Sequence, residues 1–284
     1  MAAINSLTKV SSVLFSNPVV FVPVILLYLL SSVQTIPQSL SPSVGGLIAI
    51  GVSGLLILIT PLFHGGTIGM INEAATSGQT SLESFLSYSK QYYFSVLGAY
   101  LIFLAIFLVL SIVASVAAMI GAVGLVAMES LAVLAIAVVV GMVFVGLYIG
   151  FSLALQFYAH AIVIEDYSAV DSLSRSLRVV KQNLRSVLGY FAILIGGGLL
   201  VLTVYGGVIW ISPVEFFAQP GTVSLSMALL ESLITLVVLS PIGAAYLVYS
   251  VLFYRSLLGE PPVTTGSSES TIAAVDRSAS ADQP

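Results

Sequence analysis

The chain has 284 residues, 58% of them hydrophobic and only 7% charged, with a net charge of −4 and a mean hydropathy of +1.13. Soluble domains carry charge on about a quarter of their residues, so no water-soluble fold covers this much apolar surface. Cysteine is absent, which excludes disulfides, thiolate nucleophiles, zinc ribbons and iron–sulfur clusters. No Asp, Glu, Lys or Arg occurs in 10–72, 91–128, 130–164 or 186–214. Runs of that length exceed the roughly 20 residues needed to cross a bilayer core. The expected fold is an all-α polytopic membrane bundle.

Six transmembrane helices are predicted: Pro18 to Gln34, Val44 to Phe63, Phe94 to Ile120, Leu131 to Ala159, Val187 to Trp210 and Leu229 to Tyr254. The first apolar run follows Lys9 with no small-residue cleavage site behind it, so it is expected to stay as a helix rather than leave as a signal peptide. Gly, Pro and Ser punctuate the gaps, and Pro23, Pro61 and Pro241 mark possible kinks. One six-helix domain over 1–258 and a disordered, Ser-, Thr- and Pro-rich cytoplasmic tail over 259–284 complete the organisation.

Basic residues are held on the cytoplasmic side of membranes. With six spans and the N-terminus inside, Lys9, Lys90, Arg175, Arg178, Lys181, Arg185, Arg255 and Arg277 all fall in the cytoplasm of a cell-membrane protein with both termini inside. Glu129, Glu215 and Glu231 are then the external charges, and Trp210, Phe216 and Phe217 form an outer aromatic belt.

The two long connections on the basic side resemble each other. At an offset of 91, Ser81 to Tyr100 and Ser172 to Phe191 share nine of twenty positions, including Lys90/Lys181, Gln91/Gln182 and the run Ser-Val-Leu-Gly at 95–98 and 186–189. This reads as a parallel repeat in which a cytoplasmic interfacial helix precedes a rising span. The capping box Thr80-Ser81-Leu82-Glu83 would open the first such helix. In the second, Leu173, Leu177, Val180, Leu184 and Val187 form an apolar face, and Asp171, Arg175, Arg178, Gln182 and Arg185 a polar one. Ser168 is its expected cap.

The elements Asn17-Pro18-Val19-Val20-Phe21-Val22-Pro23, His64-Gly65-Gly66 to Met70, and Gln156-Phe157-Tyr158-Ala159-His160 leading through Asp166, Arg175-Ser176 and Asn183-Leu184 to Ser186-Val187-Leu188-Gly189-Tyr190 resemble a group of haloarchaeal multispanning membrane proteins of unknown function. The resemblance covers all but the tail. The helix carrying Arg-Ser before a span is similar, over the second connection and its flanking spans, to the membrane domain of some glycerophosphodiester phosphodiesterases. Their soluble barrel with its acidic metal site is missing here, so their activity does not transfer. The first resemblance implies an archaeal cytoplasmic-membrane protein with no assigned chemistry.

Two constellations are candidate sites. Arg175, Arg178, Lys181 and Arg185 concentrate cations beside an apolar face, and each cation near a membrane surface attracts anionic headgroups by about 1 kcal/mol. Positive-inside topology alone explains the same four residues. Tyr148, Ser152, Gln156 and His160 recur at four-residue spacing on one face of the fourth span, and with Ser53, Thr60 and His64 of the second they form a prospective intramembrane polar cluster. Interhelical hydrogen bonding is the plainer role for that cluster. The small-residue pairs Gly146/Gly150, Ser111/Ser115 and Ala114/Ala118 have the spacing of close helix contacts.

No Ser/His/acid set, metal-ligand spacing or nucleotide loop stands up, so no catalytic residue, metal or cofactor is assigned and nucleic acid is not an expected partner. The residues point to a non-enzymatic membrane-organising or interaction protein contacting anionic lipid, a protein partner or a second copy of itself. A transporter or permease component for an apolar or lipid-like substrate is the alternative. With no charge at midplane depth and a repeat that is parallel rather than inverted, ion-coupled transport is disfavoured.

Overall fold

The computed structural model describes residues 2–33, 42–128, 130–211 and 225–260. Its elements are α1 (Ala2–Ser16), a 3-10 turn (Pro18–Val20) leading into α2 (Phe21–Ser32), α3 (Pro42–Ser77), α4 (Leu82–Met128), α5 (Leu131–Leu155), α6 (Tyr158–Glu165), α7 (Ala169–Gln182), α8 (Leu184–Ile211) and α9 (Leu225–Leu257). Five stretches are long and apolar enough to cross a membrane, and the bent pair α1 and α2 makes a sixth if counted as one. The fold is the all-α, multi-pass membrane bundle that the charge-free runs require. Glu129, Glu215, the predicted belt at Phe216 and Phe217, and the tail from 261 onward lie outside the described residues.

The segment before the first span, not assigned from sequence, is helix α1. It meets the following segment, Pro18–Ser32, at 95°. Asn17 makes the elbow: its side-chain amide donates to the Val13 carbonyl at 3.3 Å and to the Gly78 carbonyl, in the turn between α3 and α4, at 3.2 Å. Pro18 then opens the next element, where a missing N–H costs nothing. α1 is sorted into three sectors. Ala3, Ser6, Val10 and Leu14 are buried against the bundle, Ile4, Leu7 and Phe15 are exposed apolar groups, and Asn5, Thr8 and Ser12 face the remaining side. That division suits a helix lying where protein, lipid and water meet.

α3 and α4 form a long hairpin closed by the turn at 78–81, with the Ser81 hydroxyl capping the Ser84 N–H at 3.1 Å. The helix predicted to begin near Thr80 is present, but it runs without a break into the span: α4 is one helix of 47 residues, about 70 Å long. The contact between α3 and α4 is glycine-mediated. A Cβ on Gly69 would lie 2.6 Å from Tyr88 Cβ, and one on Gly66 would lie 2.6 Å from the Phe85 ring. Ser89 donates to the Leu62 carbonyl at 3.0 Å and Tyr93 to the Leu58 carbonyl at 3.1 Å, beside the stretch where Pro61 disturbs the α3 ladder.

The second connection is built differently. α5 stops at Leu155 and α6 restarts at Tyr158. Ser176 of α7 mends this break, donating to the Ala154 carbonyl at 2.7 Å and accepting from the Phe157 N–H at 3.1 Å. α6 ends on Asp166 in the left-handed conformation, φ 61°, with the Tyr167 N–H returning to the Ala161 carbonyl at 3.3 Å. Ser168 caps α7 as expected, accepting from the Asp171 N–H at 3.3 Å. The helix does not reach Arg185: it ends at Gln182, Asn183 forms the joint, and Arg185 belongs to α8. The expected apolar face is also rotated. The buried residues are Ser172, Ser176, Val179 and Val180, whereas Leu177 and Leu184 are exposed. In a bilayer, leucine is at home facing lipid and small serines let helices approach.

Burial is concentrated at the end of the bundle that carries the basic residues. From Val248 to Arg255 every residue of α9 is buried, and α9 packs against α1, α2 and α3 as the hub. Tyr190 of α8 stacks on Phe253 at 4.5 Å and on Tyr249 at 4.9 Å, tying the start of α8 to that hub. Away from this end the helices present Leu, Ile and Val outward. Gly146 and Gly150, expected to mark a helix contact, would meet nothing within 4 Å if given a methyl group, and the same holds for Gly196, Gly197 and Gly198 of α8. Ser115 bonds within its own helix, to the Ser111 carbonyl at 2.8 Å. The glycines that do pack in this half are Gly121 and Gly124, where a methyl would meet Ala137 at 3.3 Å and Val133 at 3.2 Å across α4 and α5.

Candidate functional site

Polar side chains knit the basic end together. Glu165, the last residue of α6, receives Arg175 of α7 in a forked contact: Nε lies 3.1 and 3.0 Å from the two carboxylate oxygens and Nη2 lies 2.7 Å from Oε2. Tyr254 of α9 donates to the same carboxylate. The ion pair is about one-fifth exposed on each side, at 19% and 18%. Arg175 also sits over the Tyr167 ring at 5.9 Å. The hydrogen bonds that it donates to Glu165 hold the Arg175 guanidinium above its ordinary pKa. A raised cation stabilises the fold fully below the unfolded value and loses that contribution only as pH climbs through the folded one, so on the alkaline side the arginine stays charged through the ordinary pH range. One residue further on, Arg255 donates to Asn72 of α3 at 2.6 Å and pairs with Glu260 at 3.3 Å. Sequence reading missed this collar. Glu165 and Arg175 are joined only because Asp166 turns the chain between them, and Asn72 and Tyr254 come from distant helices.

Of the four predicted headgroup contacts, Arg175 is therefore engaged by Glu165. Arg178, Lys181 and Arg185 are exposed and form no ion pair among the described residues. They sit on the side of α7 and early α8 next to exposed Leu177, Leu184 and Leu188.

The predicted polar cluster is partly assembled. Ser152, Gln156, His160 and His64 line one cavity of about 350 Å³ with Tyr100 and Ser250. Tyr148 does not reach it, being 52% exposed and packed edge-on against Phe107 at 4.8 Å. Ser53 and Thr60 are not among its lining residues. Both histidines were expected at span ends, but α3 continues past His64 to Ser77 and His160 lies inside α6. His160 is 6% exposed, and its Nε2 lies 3.0 Å from the Ser250 hydroxyl. That hydroxyl donates its proton to the Leu247 carbonyl at 2.8 Å. His160 Nδ1 and Gln156 Nε2 are buried with no partner. An apolar groove of about 480 Å³ lies beside the cavity, between α8, α9 and α2, and shares Leu194 and Tyr246 with it. The four-residue spacing gave the α5–α6 wall of the cavity, whereas Ser250 and Tyr100 carried no signal.

No curated protein and no solved structure matches the chain. Residues 1–257 match the family described as Domain of unknown function (DUF7847), and the chain belongs to that family.

Proposed function

We propose that the chain is a non-enzymatic membrane-organising or interaction protein whose basic end lies in the cytoplasm and docks anionic headgroups through Arg178, Lys181 and Arg185. The observation that supports this reading is the division among the basic residues: Arg175 and Arg255 are paired within the fold, whereas these three are exposed beside leucines that can rest on a bilayer. At about 1 kcal/mol per cation, three of them shift binding by roughly two orders of magnitude at low salt. The protein partner, a second copy of the chain included, would use the same surface.

The test is the triple substitution Arg178→Gln, Lys181→Gln and Arg185→Gln, with phosphatidylglycerol retained after purification measured against phosphatidylcholine. Preference for the anionic lipid should fall, and the difference should shrink as salt rises. Arg178→Lys with Arg185→Lys should keep attraction but weaken phosphate selectivity, since lysine lacks the planar fork. Unchanged retention by the triple variant reduces these residues to topology signals. Orientation has its own test, because the chain lacks cysteine. Cysteines at Ser41 or Thr222 should react with an impermeant reagent outside cells, and cysteines at Ser77 or Ser174, both at the basic end, should not.

Transport of an apolar or lipid-like substrate is the second reading, and the groove open between α8 and α9 is the observation that favours it.

A further inference from the structure

Helix α1 carries an inference independent of the exposed arginines and lysine, and it begins with the angular division of its side chains. At about 100° per residue, Ala3, Ser6, Val10 and Leu14 make the side buried against the bundle. Ile4, Leu7 and Phe15 fall within roughly 80° of one another on the next side. All three are exposed, Phe15 to 84%, and Ser11 lies between them. Asn5, Lys9 and Ser12 occupy the third side, within roughly 60°, with Asn5 and Ser12 exposed and Lys9 half-buried. A helix in water gains nothing from an exposed apolar side of that kind, and a helix crossing lipid is penalised for the Lys9 ammonium and the Asn5 amide. A membrane surface suits both sides at once.

The surroundings of α1 set its attitude. The segment that follows it, Pro18–Ser32, leaves at 95°, so with that segment entering the bilayer α1 lies parallel to the membrane plane. Length agrees: its fifteen residues extend about 22 Å, short of a hydrocarbon core of ~30 Å. The neighbours then distinguish the side facing the membrane from the side facing away. Leu7 and Val10 line the apolar groove with Tyr28, Gly197 and Val201, and Gly197 lies about 20 Å along α8 from its start at the basic end. Asn5, Ser6 and Lys9 line a separate cavity of about 300 Å³ with Ser256 and Gly259, at the end of α9 and just past it. The apolar flank of α1 thus faces along the spans, and its polar flank faces away from them.

We propose that α1 is an in-plane membrane anchor, inserting Ile4, Leu7 and Phe15 among the acyl chains of the leaflet at the basic end and keeping Asn5, Lys9 and Ser12 in water. Its partner is hydrocarbon rather than headgroup charge. The chain lacks cysteine, so Ile4→Cys, Asn5→Cys, Lys9→Cys, Ser11→Cys and Phe15→Cys can each carry one fluorophore in the full-length protein, reconstituted in phosphatidylcholine vesicles. Quenching by nitroxide lipids should place the labels at Ile4, Ser11 and Phe15 deeper than those at Asn5 and Lys9 by about 10 Å, the width of a helix. Iodide on both sides of the membrane should quench only the shallow pair. Salt should leave these depths unchanged, as should the Gln substitutions at Arg178, Lys181 and Arg185, so the result is read separately from headgroup docking. A crossing α1 gives depths that change steadily from Ile4 to Phe15, by roughly 16 Å, and that pattern overturns the proposal. So do iodide quenching of all five labels, depths that move with salt, and deep-side labels that neither quencher reaches because protein or a second copy covers them. The unaltered chain supplies a second measurement. A phosphatidylcholine carrying a diazirine on its acyl chain should insert into Ile4, Leu7 or Phe15 on photolysis, and no insertion within α1 overturns the proposal whatever the variants do.

Discussion

The two ends of this bundle are built by opposite rules. At the basic end, glycines are squeezed, side chains stack and the ionisable groups Glu165, Arg175 and Arg255 are paired. At the far end, the described helices turn Leu, Ile and Val outward, and the glycines packed there among the described residues are those of the α4–α5 contact. The same apolar composition thus serves two purposes, and hydropathy does not distinguish them. What separates the ends is placement of small and polar residues: Gly66, Gly69, Ser176 and Asn17 lie where backbones meet or break, whereas Gly146 and Gly150 face open space on the outside of α5.

The sharpest way to break the comparison is a methyl scan. Gly69→Ala places a methyl against Tyr88 Cβ, a contact no rotamer change relieves, and should destabilise by about 3 kcal/mol or more. Gly146→Ala and Gly150→Ala meet open space and should be neutral or gain up to about 1 kcal/mol of helix propensity. Melting temperatures in one detergent decide it, and equal losses at all three sites would mean that the ends are not different.

Next in size is Arg175→Gln, which leaves the Glu165 carboxylate and the Tyr254 hydroxyl without their cation. A cost of about 2 kcal/mol is expected for a pair that is mostly but not fully buried. Glu165→Gln in the same chain should restore part of it, because the uncompensated charge is then gone. Should Arg175→Gln instead weaken lipid retention and leave stability alone, the assignment of Arg175 to the fold rather than the surface is wrong. Ser176→Ala should cost about 1–2 kcal/mol by orphaning the Ala154 carbonyl and the Phe157 N–H. Hydrogen exchange should locate the loss at the α5–α6 break and not in α7. The smallest effect is near zero. Asp166→Gly relieves a left-handed residue, a gain of about 0.5 kcal/mol, but removes the hydrogen bond between Tyr92 and the Asp166 carboxylate, a loss of similar size, so the melting temperature should barely move, and a clear rise would mean that the Tyr92 contact contributes nothing.

The spans were legible because a bilayer allows an apolar run few alternatives to a helix. The side each helix turns inward was not. A helical wheel treats Leu173, Leu177 and Leu184 as core, and Leu173 does pack against it, yet lipid accepts leucine as readily as a protein interior does, so Leu177 and Leu184 turn outward and serines share the inner face of α7. The spacing of Gly146 and Gly150 fits a contact without saying that a neighbour exists, and the equally spaced Ser152, Gln156 and His160 did find one. The difference lies in which helices return to the same depth, a property of the whole chain. For the same reason the two matching segments, 81–100 and 172–191, do not take the same form. Val96 and Val187 are both fully buried, and Gly98 and Gly189 both face an alanine, Ala169 of α7 and Ala3 of α1. Only in the second copy does a joint, at Asn183, separate the approach from the span.

The position of the hub in the chain has a consequence for synthesis. The inward face of α1 is completed by α9, and the Ser6–Ser256 contact at 3.4 Å joins residues 250 positions apart. At about 5–20 residues per second, α1 waits roughly 12–50 seconds on the ribosome's schedule before its counterpart exists. Through that interval Ala3, Val10 and Leu14 must rest on lipid or on a chaperone. A nascent chain arrested before α9 should therefore expose α1 to protease, and one released after α9 should not.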